Sequence, residues 1–278
     1  MTLTSRNIRI YTFFIMLSIM TTLPCQAQES DISVINGTEI KRQVFPKTSL
    51  RSDYIFEFNY PFKEIKLRTS DGINLQTLIF FSMKSKGVIL YLHGSNGAAD
   101  VWGKIAPIYT KCGYDFCLLD YRGYGKSEGE VVSEEQLCRD VQLLYDILKS
   151  QYGEKQIVVI GQSIGTGAAA FLAAHNRPRM LILQAPYYSI EDWIHHLAPT
   201  LRIVNNPFKF KTYKRLERTT CPVVLLHGDA DDAIYHGSSE KLSKCLKPND
   251  QFITLTGEKH TDFTKNQQYL ELLEKLLK

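Results

Sequence analysis

Long apolar runs are missing from this chain of 278 residues. The most apolar stretch near its start, Tyr11-Thr12-Phe13-Phe14-Ile15-Met16-Leu17-Ser18-Ile19-Met20, falls well short of the roughly 20 residues that span a bilayer. Cysteine is scarce. There are six, none in a C-x-x-C pair or a metal-ligating cluster, so no structural metal is expected. If the leader described below is removed, Cys112, Cys117, Cys138, Cys221 and Cys245 remain, an odd number that cannot all pair within the chain. A strong charge of one sign is absent too: 33 Lys and Arg stand against 29 Asp and Glu, a net charge of +4. Nothing resembles a nucleic-acid footprint. One cationic cluster, Lys209, Lys211, Lys214, Arg215 and Arg218, reads as a solvated helix face, with a weak attraction to anionic lipid surfaces or acidic substrates left open.

The beginning of the chain carries an export pattern. Arg6 and Arg9 give a positive start, the short apolar core follows, and Cys25-Gln26-Ala27 offers small residues for cleavage before Gln28. Residues 1–27 are thus expected to be a secretory signal peptide, with the mature protein periplasmic or secreted and no membrane span left after cleavage. Thr22-Leu23-Pro24-Cys25 matches a lipobox poorly, because Pro precedes the cysteine and Thr stands where Leu is expected. The remaining length of about 250 residues suits one α/β unit.

The most informative residues are Gly161-Gln162-Ser163-Ile164-Gly165. They follow the apolar run Ile157-Val158-Val159-Ile160 and precede a small-residue segment, 166–174, that reads as a helix. A strand, G-x-S-x-G and a helix make a nucleophile elbow. The turn is tight enough to strain the serine backbone and to require flanking positions nearly free of side chain. The N–H of Ile164, at a helix N-terminus, can hold an oxyanion. The bland alternative is a Gly-rich turn with an incidental serine.

A serine hydroxyl is a weak nucleophile until a base takes its proton. In elbow proteins the partners follow in the order serine, acid, histidine. Downstream, the apolar strand Pro222-Val223-Val224-Leu225-Leu226 runs into His227-Gly228-Asp229-Ala230-Asp231-Asp232-Ala233-Ile234, which puts three carboxylates at a strand's C-terminal end. A last strand, 251–256, leads to His260. Position and order favour His260 over its rivals. His236 belongs with a helix entry, His195 and His196 precede the acid, and His175 ends the helix after the elbow. His93 and His227 read as buried structural histidines. Among the acids the residues alone leave Asp229, Asp231 and Asp232 open, since an aspartate there can also brace its loop.

The remaining pattern alternates strands and helices. Residues 28–60 lack periodicity and read as an extended N-terminal arm. Strands near 62–68 and 74–81, joined at Ser70-Asp71-Gly72, form a hairpin. A strand at 88–92, a helix at 98–111, a strand at 116–120, a helix at 133–152 capped by Ser133 with Gln136, the elbow and a strand at 180–184 follow. This is an α/β pattern with a mostly parallel sheet and right-handed crossovers. Between Pro186 and Thr220 the alternation stops. We read 186–220 as a short lid in a hydrolase domain of 61–278. Its aromatics, Tyr187, Tyr188 and Trp193 among them, either line an acyl pocket or seal the lid onto the sheet. Tyr121 and Tyr124 are in the same position.

Four segments carry a resemblance: Leu92-His93-Gly94-Ser95-Asn96-Gly97, the stretch from Asp120 to Gly129, the elbow, and His227-Gly228 with its acid loop, closed by His260. The chain resembles the α/β-hydrolase superfamily of serine hydrolases, and within it the small abhydrolase-domain proteins related to serine aminopeptidases and protein depalmitoylases. The match runs over roughly residues 60–278. It implies an α/β-hydrolase fold with helices on both faces of the sheet. It selects Asp231 through the pattern H-G-x-x-D-x-x-[VI], and it implies a second oxyanion donor at the N–H of Ser95. The glycine run of HGGG lipases is lacking, which speaks against bulky tertiary-alcohol esters.

Ser163, Asp231 and His260 are therefore expected to transfer an acyl group to water from a small-molecule or lipid-like carboxylic ester or thioester. This chemistry needs no organic cofactor. An aminopeptidase or amidase is the alternative reaction. It needs an anchor for a free amine, for which Glu191 and Asp192 are the only lid candidates. A binding protein using the fold without turnover is the alternative class.

Overall fold

The computed structural model describes residues 33–261 and 263–278; the expected leader, 1–27, lies outside them. Its organising element is a sheet built from the apolar runs. Strands β3 (Phe62–Arg68), β4 (Asn74–Phe80), β5 (Val88–Leu92), β6 (Asp115–Leu119), β8 (Ile157–Gln162), β9 (Met180–Gln184), β11 (Val223–Gly228) and β12 (Gln251–Leu255) align in the order β12-β11-β9-β8-β5-β6-β4-β3. The β3–β4 and β4–β6 pairs are antiparallel and the rest are parallel. Every residue of β5, β6, β8 and β11 is buried, as continuous Val/Ile/Leu runs covered on both faces should be.

Helices supply the cover. They are α1 (Gly37–Val44), α2 (Ala99–Trp102), α3 (Ala106–Lys111), α4 (Glu134–Tyr152), α5 (Gly165–His175), α6 (Ile190–Leu197), α7 (Thr212–Leu216), α8 (Gly237–Ser243) and α9 (Gln267–Leu276). Two hydrophobic clusters, one on each side of the sheet's alternating side chains, contain Leu90, Val159 and Leu225 on one hand and Ile89, Ile160 and Leu226 on the other.

Three expectations need correction. The arm is not merely extended. Asn36 caps α1 by accepting from the N–H groups of Thr38 and Glu39, and the Glu39 carboxylate accepts from the Asn36 N–H, a complete capping box. Short strands β1 (Val34–Asn36) and β2 (Thr48–Ser49) flank this helix and pair in parallel with β10 (Arg202–Val204) and β7 (Tyr124–Gly125). The helix expected at 98–111 is broken into α2, a 3-10 turn at Gly103–Ile105 and α3. Gly103 packs against Phe58 and Phe80 so closely that a Cβ would lie 2.4 Å from the Phe58 ring. At α4 the cap is also rearranged: Ser133 accepts from the Gln136 N–H, while the Gln136 side chain accepts from Val132 rather than from Ser133. The expected lid does hold its own elements, α6, β10 and α7. The five described cysteines are all unpaired.

Candidate active site

At the C-terminal end of β8 the chain turns at Ser163 into α5. Ser163 has φ of 51°, a left-handed conformation that costs a non-glycine residue on the order of 1–3 kcal/mol. The surroundings hold it there. Its N–H donates to Gln184 O (2.9 Å), and its carbonyl accepts from the N–H (3.0 Å) and hydroxyl (2.6 Å) of Thr166. The two elbow glycines are dictated by contact. A Cβ on Gly165 would stand 2.1 Å from the Leu92 carbonyl oxygen, and one on Gly161 would stand 2.7 Å from Ala169 Cβ.

The strained turn aims Ser163 Oγ at His260. His260 Nε2 lies 2.9 Å from Ser163 Oγ, and His260 Nδ1 lies 2.8 Å from Asp231 Oδ2. A carboxylate only accepts, so Nδ1 carries the proton and Nε2 presents its lone pair to the serine hydroxyl. Ser163 is 8% exposed and the His260 side chain 15%, so the reacting edge is reachable but largely out of water. Burial would raise the Asp231 pKa. Hydrogen bonds from His227 and His260, the charge of His260 and the Ile234 N–H outweigh it and hold the carboxyl well below the usual carboxylate range.

Of the three loop acids, only Asp231 touches His260. Its Oδ1 accepts from the N–H groups of Ala233 and Ile234, both at 2.9 Å. Asp229 Oδ1 accepts from the Gly257 N–H (2.6 Å), tying the acid loop to the loop before His260. Asp232 is exposed. His236 bonds to Thr254 Oγ1 and reaches toward Glu240, not the serine.

The loop after β5 lies directly beside the serine. A Cβ on Gly94 would be 3.6 Å from Ser163 Cβ. The N–H of Ile164 sits where the first N–H groups of a helix lack intrahelical partners. The Ser95 carbonyl accepts from Tyr124 OH (3.1 Å), and that of His93 from Tyr121 OH (2.9 Å). These two tyrosines, both 1% exposed, therefore fix the loop rather than meet a ligand. His93 is wholly buried; its Nδ1–H donates to the Gly94 carbonyl (2.7 Å), and burial pushes its pKa down to about 4. Beneath it Asp120 Oδ1 accepts from the Ala99 N–H (2.8 Å), and burial pushes that carboxyl up to about 8.

The chain matches the family model described as serine aminopeptidase, S33, over residues 83–210. It is 29% identical to the zebrafish lysophosphatidylserine lipase ABHD12, over 70% of this chain and 59% of that one. It is 31% identical to protein bem46 of Schizosaccharomyces pombe, over 64% of this chain and 63% of the relative. It is 28% identical to α/β hydrolase domain-containing protein 17B of Xenopus tropicalis, over 76% and 73%. The chain belongs to the α/β-hydrolase superfamily. Within it the chain stands with the abhydrolase-domain branch. It spans less than two thirds of the lipases it matches, between 46% and 59% of their length. An esterase of Pyrococcus furiosus shares the fold, with a TM-score of 0.66 at 16% identity, covering 84% of this chain and 96% of the esterase.

Around this α/β-hydrolase site lie residues that sequence reasoning missed or placed differently. His227, read only as a structural histidine, has Nε2 3.1 Å from Asp231 Oδ2 and 2.9 Å from the Ile234 carbonyl, while Ser239 Oγ lies 2.6 Å from its Nδ1. Below the elbow a buried network joins side chains from five elements. Tyr91 OH donates to Gln162 (2.6 Å), Gln184 Nε2 donates to Tyr269 OH (2.6 Å), and Tyr109 and Tyr269 share a hydrogen bond (2.8 Å). The polar signal was present, since Gln162 and Gln184 end buried strands, but nothing in the chain order pairs them with Tyr269.

Of the three expected pocket aromatics, Tyr187 is corrected. It is 1% exposed, its hydroxyl donates to the Ile164 carbonyl (3.1 Å), and its ring meets Phe210. It braces the elbow helix from beneath and has no face to offer a substrate. Tyr188 stacks on Tyr213 at 4.4 Å, and Trp193 Nε1–H donates to Ala233 O (2.8 Å), joining α6 to the acid loop. Asp192, one of the two candidate amine anchors, is engaged by Lys241 and Tyr235.

Proposed function

We propose that this chain hydrolyses carboxylic esters or thioesters through an acyl-enzyme on Ser163. The observation that carries this is the continuous 2.9 and 2.8 Å path from Ser163 Oγ through His260 to Asp231. Ser163 attacks the carbonyl carbon as His260 Nε2 takes its proton, and the Ser95 and Ile164 N–H groups receive the oxyanion. His260 then gives the proton to the leaving alcohol or thiol. Water, deprotonated by the same nitrogen, releases the acid and restores the serine. Asp231 remains ionised throughout, holding the imidazole in the required tautomer.

The esterase and lipase relatives support an ester substrate, a lipid-like one included. The aminopeptidase reading is weakened because Asp192 is already paired and Glu191 is exposed. Tyr188 and Trp193 are proposed to wall the acyl side. Rates over p-nitrophenyl esters of increasing chain length, set beside aminoacyl-p-nitroanilides, test the assignment: ester turnover should dominate, and faster anilide cleavage would reverse it.

The leader pattern supports a second proposal, that the protein is exported to the periplasm or medium and begins at Gln28. Intact mass of protein expressed with its own leader tests it. An unprocessed mass, or a diacylglyceryl adduct on Cys25, would overturn it.

A further inference from the structure

Away from the serine, the cationic cluster of the lid is not a flat solvated face. Lys209, Lys211, Lys214 and Arg218 line a cleft of about 750 Å³, together with Arg139 from α4. None of these five side chains has an ion-pair or hydrogen-bond partner among the described residues. Two carboxylates on the rim, Glu135 and Glu217, leave an excess of three positive charges (five less two). The remaining charges cancel, since Arg215 pairs with Glu134. The floor is different in kind. Phe171, Ala174 and Cys138 form it, with the Arg215 guanidinium lying 5.5 Å above the Phe171 ring.

Five unpaired cations gathered around one concavity repel each other, and a bound anion relieves that repulsion. A purely inorganic anion would leave the apolar floor in contact with water. We propose that the cleft is a binding site for an amphiphilic anion, an alkyl or acyl chain that lies on Phe171 and Ala174 and ends in a carboxylate or phosphate held by Lys214, Arg218 and Arg139. The volume is within the range of small-molecule sites, roughly 300–1,000 Å³. The site is separate from the catalytic one: Phe171 and Ala174 lie six and nine residues past Gly165 on α5, about 9–14 Å along the helix from the elbow. The two are nonetheless mechanically joined, because Arg215 Nη1–H donates to the Gly167 carbonyl (2.7 Å) in the first turn after the elbow.

The test uses Ser163→Ala, so that nothing is hydrolysed and the outcome does not depend on the proposed reaction. Below their micellar concentrations, dodecanoate, dodecyl phosphate, dodecanol and inorganic phosphate are titrated by calorimetry into this protein and into the same protein carrying Lys214→Glu and Arg218→Glu. Saturable binding of dodecanoate or dodecyl phosphate is expected, the tighter of the two identifying the headgroup. The charge reversals should weaken it by about tenfold or more, as loss of charge-assisted contacts does. Dodecanol and inorganic phosphate should each bind at least about tenfold more weakly than the amphiphile, lacking one half of the recognition. Affinity unchanged by the reversals, or dodecanol binding as well as dodecanoate, would overturn the proposal, since the ligand would then be held by the catalytic pocket or by apolar contact alone.

Discussion

His227, near the end of β11, and Asp231, four residues on in the loop that follows, meet through a 3.1 Å contact from His227 Nε2 to the same carboxylate oxygen that faces His260. The His227 tautomer follows from its neighbours, because Ile234 O can only accept, so Nε2 carries the proton. Asp231 thus receives two ring N–H groups on one oxygen and two backbone N–H groups on the other, and its carboxylate is fixed before any substrate arrives.

From this comes the first prediction. Asp231→Asn should lower ester turnover on the order of 10⁴-fold, because the imidazole loses both its tautomer and its counter-charge. His227→Phe should reduce turnover by about 10- to 100-fold, matching a lost hydrogen bond to a charged group of roughly 1.5–3 kcal/mol. Asp229→Asn should leave turnover near wild type and cost about 1 kcal/mol of stability through its bond to Gly257. Steady-state kinetics on one p-nitrophenyl ester, with urea unfolding alongside, ranks the four proteins. A crippled Asp232→Asn variant would mean the acid has been placed one residue too early.

A second prediction concerns pH and stability. The Asp120 carboxyl, pushed up to about 8 by burial, keeps a proton that an unfolded aspartate releases near pH 4. His93, pushed down to about 4 by burial, lacks a proton that an unfolded histidine keeps up to about pH 6.5. Between about pH 4 and 6.5 the two differences cancel. Above that, the unfolded histidine is neutral and only Asp120 remains, so the folded state binds more protons and loses stability as pH rises. The slope should be about 1.4 kcal/mol per pH unit up to about pH 8. Asp120→Asn, which still offers Ala99 an acceptor, should remove it. Urea unfolding at several pH values between these limits, for both proteins, gives the two slopes; parallel slopes would contradict the account.

The elbow itself yields a third prediction. Gly165→Ala forces a Cβ against the Leu92 carbonyl, where backbone on both sides prevents relief. Overpacking of this kind costs about 1–3 kcal/mol or more, and ester turnover should fall as the turn shifts. By contrast Tyr187→Phe removes one hydrogen bond and should cost about 1 kcal/mol. Thermal unfolding separates the two; a Gly165→Ala protein of wild-type stability would mean the turn is looser than its contacts indicate.

These relationships also mark what was legible in the chain. The sheet was, because Val88–Leu92, Ile157–Gln162 and Val223–Gly228 are continuous apolar runs closed by glycine or by polar turns. Ser163, Asp231 and His260 stand in an order that only a few connections allow, and the fold brings all three together. Helix α1 was not read, although Asn36 and Glu39 carry a capping-box spacing, since its apolar positions are few and the strand before it, β1, finds its partner β10 far along the chain. His227 is the buried histidine expected, but its contact with Asp231 was not legible, because it depends on how the loop after β11 folds back over four residues. Tyr187 was misassigned for a related reason: an aromatic in a lid either faces the pocket or closes it, and only the contact with Ile164 decides.

The most direct test of the central claim is covalent. Purified protein is treated with a fluorophosphonate and digested, and the modified residue is located by mass spectrometry. The account predicts a single adduct on Ser163, no adduct in Ser163→Ala, and loss of ester turnover in that variant with unchanged thermal unfolding. An adduct on another residue, or a folded wild-type protein that takes none, would contradict it.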